Sequence, residues 1–415
     1  MNKKNPAILF TTQELRYPAT GGPYLRIENS VKALNAISEL YLYSRVTPEN
    51  MGGDRAVEYY EKLCKKFFMA PSCKRHKLHR TVVGGINIVG RKALGKNILQ
   101  HYESKMDFDD LLRTADSVQA DVIWLGFGNI SYPLMKYIKE NSAYRVVVDT
   151  DSVWSRFLLR GLAYHVDKDV REKTETAGRA KEKEEAEWTN LADITTAVSD
   201  VDKEYYQGLT ERKDKVMLFS NVIDMANYTG RHENPGIQRP SVYLAGSFGK
   251  NSPMEEAARW TIEKVMPLVW KDIPQVRFYI LGNGSCETLA DVKDERITIA
   301  GRVESVLPYL CNVDIALVPL KFESGTRFKI LEAGACKVPV VSTTLGAEGL
   351  NVTHGKDILI ADTPEEFAAA TIELLTDKAK AAAIGAECYK LVNDNYAIGR
   401  AREEAMMVLE RLGFE

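Results

Sequence analysis

Short apolar runs rich in Val, Ile and aromatic side chains alternate along this chain with longer stretches in which apolar residues recur every three or four positions. The first pattern fits buried strands and the second fits amphipathic helices, so their alternation predicts an α/β fold built on parallel sheets. Strands are expected at 7–12, 38–46, 121–127, 144–148, 193–199 and 216–219. A second series follows at 242–245, 275–281, 296–303, 314–320, 337–343 and 357–360. Helical spacing marks 326–336, where Phe328, Leu331 and Ala335 share one face, and also 364–376. Residues 225–239 hold few aliphatics and concentrate Asn, Gly and Pro, which marks a linker. The expected division is an N-terminal domain over 1–225, a linker over 226–239, a C-terminal domain over 240–392 and a closing helix over 393–415.

Two stretches depart from this rhythm. Residues 166–190 are dense in Glu and Lys, the composition of a long exposed helix held by ion pairs one turn apart. Residues 62–101 contain ten Lys and Arg, among them Lys62, Lys65, Lys66, Lys74 and Arg75, and no acidic residue. Phe67, Phe68, Met69, Ile86, Ile88 and Val89 interleave with them. The stretch reads either as a solvated basic surface or as a face for anionic lipid headgroups.

With 415 residues the chain is long enough for two domains, and 45% hydrophobic residues suit two ordinary cores. A formal charge of −2 excludes a general polyanion binder, and no recognition motif points to nucleic acid. No apolar run reaches membrane-spanning length, and the start MNKKNPAILFTT has too short an apolar core for a secretory signal. The six cysteines show no CxxC spacing and read as reduced thiols, so a cytoplasmic location is expected. The six histidines show no metal-ligating spacing, and no metal or cofactor is expected.

Candidate chemistry concentrates at 314–350, which reads as strand, glycine-bearing loop, helix, strand. Ser324 or Thr326 is placed to cap the helix, and Gly325 lets the loop backbone approach a neighbour closely. Arg327 and Lys329 fall in the first helical turn, where the macrodipole already supplies about half a positive charge. Two cations there suit a bound anion, and free amides at the helix start with Lys329 form a phosphate site. Glu332 lies one turn deeper, placed to accept hydrogen bonds from sugar hydroxyls. Such bonds to a charged group contribute roughly 1.5–3 kcal/mol each. The competing reading is a Lys329–Glu332 surface pair worth about 0.2–0.5 kcal/mol.

Elsewhere, strand 7–12 leads into Gly21-Gly22 and a helix, a phosphate-cradle order that a plain turn would also satisfy. Strand 144–148 runs into Asp149-Thr150-Asp151. Ligands bind beyond the carboxyl ends of parallel strands, which gives these acids weight, although Asp151 or Ser152 could simply cap the next helix. The glycines of 282–284 form a lone GxG, which by itself is weak evidence for a dinucleotide site.

The segment GTRFKILEAGACKVPVVSTTLGAEGL resembles the donor-binding segment of retaining GT-B glycosyltransferases of the family 4 (glycosyl transferases group 1) type. Gly325, Thr326, Lys329, Glu332, Ala333, Pro339, Val340, Gly346 and Gly349 carry the match, and it extends more weakly over most of the chain. Two positions depart from the family pattern: Ser324 stands where an acid is common, and Glu255 where a second Lys is common. The resemblance implies two Rossmann-like domains facing a central cleft, with the last helix crossing back onto the first domain. It implies a nucleotide diphosphate-sugar donor, UDP- or GDP-linked, and a glycan or lipid-linked acceptor. It further implies metal-independent hexosyl transfer with retention, in bacterial cell-surface polysaccharide or glycolipid synthesis at the inner membrane face. Gly21, Gly22, Lys250, Gly325, Thr326 and Lys329 would then hold the diphosphate. Arg302 and Val303 would meet the nucleobase. Asp149 or Asp151, with Ser152 and Arg156 nearby, would stand beside the transferred sugar. A nucleotide-sugar 2-epimerase shares the architecture and is the enzymatic alternative; an inactive membrane-associated assembly protein is the other.

Overall fold

The computed structural model describes residues 5–74, 98–230 and 232–414. Two wholly parallel sheets carry the fold. In the first, β1 (Ala7–Thr12), β2 (Glu39–Ser44), β3 (Lys66–Met69), β4 (Val122–Gly126), β5 (Arg145–Asp149), β6 (Ile194–Ala197) and β7 (Val216–Leu218) lie in the order β3-β2-β1-β4-β5-β6-β7. In the second, β8 (Ser241–Ala245), β9 (Arg277–Leu281), β10 (Ile297–Gly301), β11 (Ile315–Val318), β12 (Val340–Ser342) and β13 (Leu359–Ile360) lie in the order β10-β9-β8-β11-β12-β13. The order reverses between β1 and β4 in one sheet and between β8 and β11 in the other. Crevices for ligands open at such reversals, beyond the carboxyl ends of the strands.

Burial follows from two-sided covering. Strand residues of β1, β4 and β5 are buried on both faces, so they read as continuous apolar runs without alternation. Phe10, Ile27, Val31 and Trp124 form the core on one face of the first sheet, and Leu9, Ile123, Val148 and Trp188 form the core on the other. One continuous core fills the second domain around Phe278, Leu331 and Phe367.

Six helices position the site. They are α1 (Gly22–Asn35), α2 (Trp154–Gly161), α3 (Asp200–Gly208), α4 (Leu307–Leu310), α5 (Phe328–Ala335) and α6 (Ile398–Arg411). The last returns to the first domain, where Ala401, Ala405, Val408 and Leu409 join the core that holds Ile27 and Val31. Glu404 of α6 accepts hydrogen bonds from the Ser220 amide at 2.6 Å and its hydroxyl at 2.9 Å. Among the described residues no helix is long and apolar enough to cross a membrane.

Some elements differ from the sequence reading. Phe67, Phe68 and Met69 of the basic stretch form the edge strand β3 and pack partly buried against the two cores of the first domain. Much of the rest of the membrane-facing stretch, 75–97, lies outside the described residues. The charged helix runs Lys168–Leu191 and is not wholly solvated. Its Glu185 is fully buried and accepts from the Ser155 amide and the Ser155 and Tyr205 hydroxyls, while Trp188 fills the core.

Candidate functional site

A cavity of about 760 Å³ lies between the carboxyl ends of the two sheets. Two helix starts face each other across it. At α1 the N-cap is Gly21, and at α5 it is Arg327; neither helix has a side-chain cap. The Phe328 ring comes within 3.2 Å of where a Cβ on Gly22 would stand, so a larger residue at Gly22 would press the helices apart. Unpaired amides and like-signed dipole ends therefore converge on one space, an arrangement that favours an anion there.

The structure corrects the expected caps. Neither Ser324 nor Thr326 caps α5. Ser324 Oγ accepts from the Val153 amide at 3.1 Å, and Thr326 Oγ1 accepts from Asn221 Nδ2 at 2.7 Å. Neither Asp151 nor Ser152 caps α2, whose N-cap is Val153. The hydroxyls of the second-domain loop are thus committed to holding the first domain. Gly325 has φ of 77° and does not line the cavity; a Cβ there would stand 2.7 Å from the Asp151 carbonyl oxygen. Its small size admits the close approach of the opposite domain.

Lys329 and Arg327 both line the cavity. No hydrogen bond or ion pair of the Lys329 ammonium occurs among the described residues, so the expected alternative of a pair with Glu332 is not formed. Burial lowers the pKa of Lys329, and also that of Arg327. Arg327 is 4% exposed and donates through Nη1 to the Ser324 and Gly325 carbonyls, while its Nε and Nη2 are buried without partners. Buried unpaired guanidinium nitrogens cost free energy and favour an incoming acceptor. Glu332 accepts from the Tyr228 hydroxyl at 3.2 Å, and burial pushes its carboxyl up to about 7.

The two candidate aspartates have separate fates. Asp149 is fully buried and does not line the cavity. It is ion-paired with Arg26 Nη2 and accepts from Thr196 Oγ1 at 2.9 Å. Arg26 also donates to Asn221 Oδ1 at 2.8 Å and to the Phe219 carbonyl at 3.0 Å. A buried chain thus runs Asp149–Arg26–Asn221–Thr326 from the first sheet to the loop before α5. Asp151 does line the cavity. It accepts from Asn129 Nδ2 and from Trp154 Nε1, and burial raises its pKa to about 6 against those hydrogen bonds.

Gly21, Gly22, Arg302, Val303, Thr326, Lys329 and Glu332 all reach the cavity with Asp151. Lys250 does not; it sits exposed on the turn after β8, where Gly246 and Ser247 line the wall instead. In the GxG of 282–284, a Cβ on Gly282 would fall 1.6 Å from the Gly246 carbonyl oxygen, so this glycine serves the packing of two loops. Sequence reasoning missed Asn221, Tyr228 and the ion pair of Arg160 with Glu348, made at 2.7 and 2.9 Å between domains. Their signal was weak because each acts across a distance of 100 or more positions.

Residues 239–377 match the family model described as Glycosyl transferases group 1. A Corynebacterium glutamicum protein named GDP-mannose-dependent monoacylated alpha-(1-6)-phosphatidylinositol monomannoside mannosyltransferase is 29% identical over 163 residues, covering 36% of this chain and 40% of its own. An uncharacterized 44.6 kDa protein in the cps region of Klebsiella pneumoniae is 23% identical over 146 residues, 33% of this chain and 38% of its own. The matched segments thus span 38% and 40% of these curated relatives. Among solved structures, the sucrose-phosphate synthase of Thermosynechococcus elongatus superposes with a TM-score of 0.68 at 14% identity, over 98% of this chain and 99% of that one. Anabaena HepE in complex with UDP-glucose gives 0.64 at 13% identity over the same shares. At such identities the likeness is one of fold, and the fold is GT-B.

Proposed function

We propose that this chain, a GT-B-fold protein carrying a glycosyl transferases group 1 segment, is a glycosyltransferase that moves a sugar from a nucleotide diphosphate-sugar to a glycan or lipid-linked acceptor. One observation carries the reading: the uncapped starts of α1 and α5 face each other across a cavity beside a half-paired Arg327 and a Lys329 that has no hydrogen bond or ion pair among the described residues. Each helix start favours a nearby anion by about 0.3–1 kcal/mol, and each charge-assisted hydrogen bond adds roughly 1.5–3 kcal/mol. Together they suit a diphosphate.

The rest of the donor follows from the cavity's length. The nucleobase would lie at Arg302, Val303 and Leu307, and the ribose at Glu332, whose carboxylate is steadied by Tyr228. The sugar would then extend toward Asp151, with the acceptor entering from the first domain. As the glycosidic bond breaks, negative charge builds on the leaving diphosphate, and donors already aimed at it lower that barrier without reorganising. Asp151 would accept a hydrogen bond from a sugar or acceptor hydroxyl, which orients it for attack. We read the transfer as hexosyl, metal-independent and retaining, with the departing phosphate and the incoming hydroxyl sharing one face of the sugar.

The names of two relatives, one a GDP-mannose-dependent mannosyltransferase of a phosphatidylinositol mannoside and one in complex with UDP-glucose, support a GDP- or UDP-linked donor and a lipid-linked acceptor; a cell-surface glycan is the alternative acceptor. The basic stretch 62–101 would add a contact with anionic lipid at the inner membrane face. The test is thermal stabilisation by UDP, GDP and ADP, followed by transfer assays with sugars of the stabilising nucleotide. A single preferred nucleotide and acceptor-dependent release of it support the reading. Stabilisation by none of the three, or release of nucleotide and free epimerised sugar without acceptor, overturns it.

A further inference from the structure

Two thiols meet where sequence spacing gave no hint of a pair. Cys311 directly follows α4 and Cys336 directly follows α5, and their Sγ atoms lie 3.5 Å apart although the residues are 25 positions apart in the chain. Both are free and half-buried. Each backbone is held by its own helix: the Cys311 amide donates to the Leu307 carbonyl at 2.9 Å, and the Cys336 amide to those of Glu332 and Ala333 at 3.1 Å. A disulfide has its sulfurs about 2.05 Å apart, so closing the bond needs an approach of roughly 1.5 Å. The helices concerned flank the cavity, through Leu307 and Leu310 on one side and Lys329 and Glu332 on the other.

We infer that Cys311 and Cys336 form a thiol–disulfide modification site that takes oxidised low-molecular-weight thiols and closes to an intramolecular disulfide between α4 and α5. The inference does not depend on what the cavity binds. In one order Cys311 attacks first, with the Cys336 thiol 3.5 Å away to resolve the intermediate. The Cys311 thiolate attacks one sulfur of R–S–S–R, forming a mixed disulfide and releasing RS⁻. Cys336, losing its proton to solvent, then attacks the Cys311 sulfur and expels the second RS⁻. Two protein thiols are oxidised and one small disulfide is reduced to two thiols.

The test uses the full chain carrying Cys286→Ser, which removes an exposed thiol. After incubation with oxidised glutathione and alkylation of remaining thiols, mass spectrometry should find one peptide pair joined through Cys311 and Cys336, reversed by dithiothreitol. Adding Cys336→Ser should instead trap glutathione on Cys311. Alkylation of both residues in the otherwise unaltered pair, or a cross-link only between separate chains, overturns the inference. The peptide map of the two-thiol protein decides the matter even if Cys336→Ser fails to fold.

Discussion

Arg26 on α1 and Asp149 at the end of β5 form an ion pair with side-chain exposures of 2% and 0%; Arg26 reaches the cavity wall and Asp149 lies behind it. Burial raises the pKa of Asp149, and the guanidinium opposes that rise. Removing one member strands the other charge in a buried site, which costs about 3–5 kcal/mol. Asp149→Asn is therefore expected to lower the unfolding midpoint strongly, whereas Asp151→Asn is not. Guanidinium denaturation of both variants checks this, and a wild-type midpoint for Asp149→Asn would contradict it.

Lys329→Ala is expected to leave the melting temperature near wild type, because the ammonium makes no hydrogen bond or ion pair among the described residues. Nucleotide affinity should fall roughly 10–150-fold, the equivalent of one charge-assisted hydrogen bond. Lys329→Arg should recover part of it. Titration calorimetry measures both, and near-wild-type affinity in the alanine variant would reject Lys329 as an anion ligand.

The domains are latched by Asn221 to Thr326 at 2.7 Å, by the Val153 amide to Ser324 at 3.1 Å, and by Arg160 to Glu348 at 2.7 and 2.9 Å. The last pair is about a quarter exposed on each side, so it is worth on the order of 1 kcal/mol and is weakened by salt. Glu348→Arg places like charges together and should open the cleft, seen as a larger radius of gyration in X-ray scattering. Combining it with Arg160→Glu should restore the closed dimension. An unchanged radius in the single variant would show that the pair does not hold the cleft.

Asp151 has its pKa raised to about 6, so between about pH 4 and pH 6 the folded chain holds a proton that the unfolded chain releases. Its contribution to stability therefore falls as pH rises through that window. Asp151→Asn should remove this slope and raise stability at neutral pH by about 1 kcal/mol after solvent screening. Denaturation curves from pH 4 to 7.5 test it; equal slopes in both proteins would contradict it. Anion binding should raise the lowered pKa of Lys329, so proton uptake on nucleotide binding should grow as pH rises toward the ordinary lysine range, read from calorimetry in buffers of different ionisation enthalpy.

The fold was legible because nearly every strand is a short apolar run and nearly every connection a helical repeat. β3 escaped notice because its Phe67-Phe68-Met69 is embedded among lysines, so charge masked an edge strand. Lys329, Glu332 and the Gly21–Gly22 loop were legible because a helix start is a local feature and its electrostatics follow from sequence. Asp149 and Asp151 could not be separated, since two positions along a strand end decide which side chain faces the sheet interior and which the cavity. The misassigned caps have two causes. Ser324 and Thr326 are local capping residues by type, but the opposite domain, invisible from spacing, supplies their partners, while Asp151 is taken by Asn129 and Trp154 of its own domain.

A crystal structure with bound UDP or GDP, whichever stabilises the protein, tests the central claim most directly. The β-phosphate is expected within hydrogen-bond distance of Lys329 Nζ and of backbone amides at the start of α1 or α5, with Glu332 on the ribose. A diphosphate bound elsewhere, with Lys329 directed into solvent, would contradict the assignment of the cavity as a donor site.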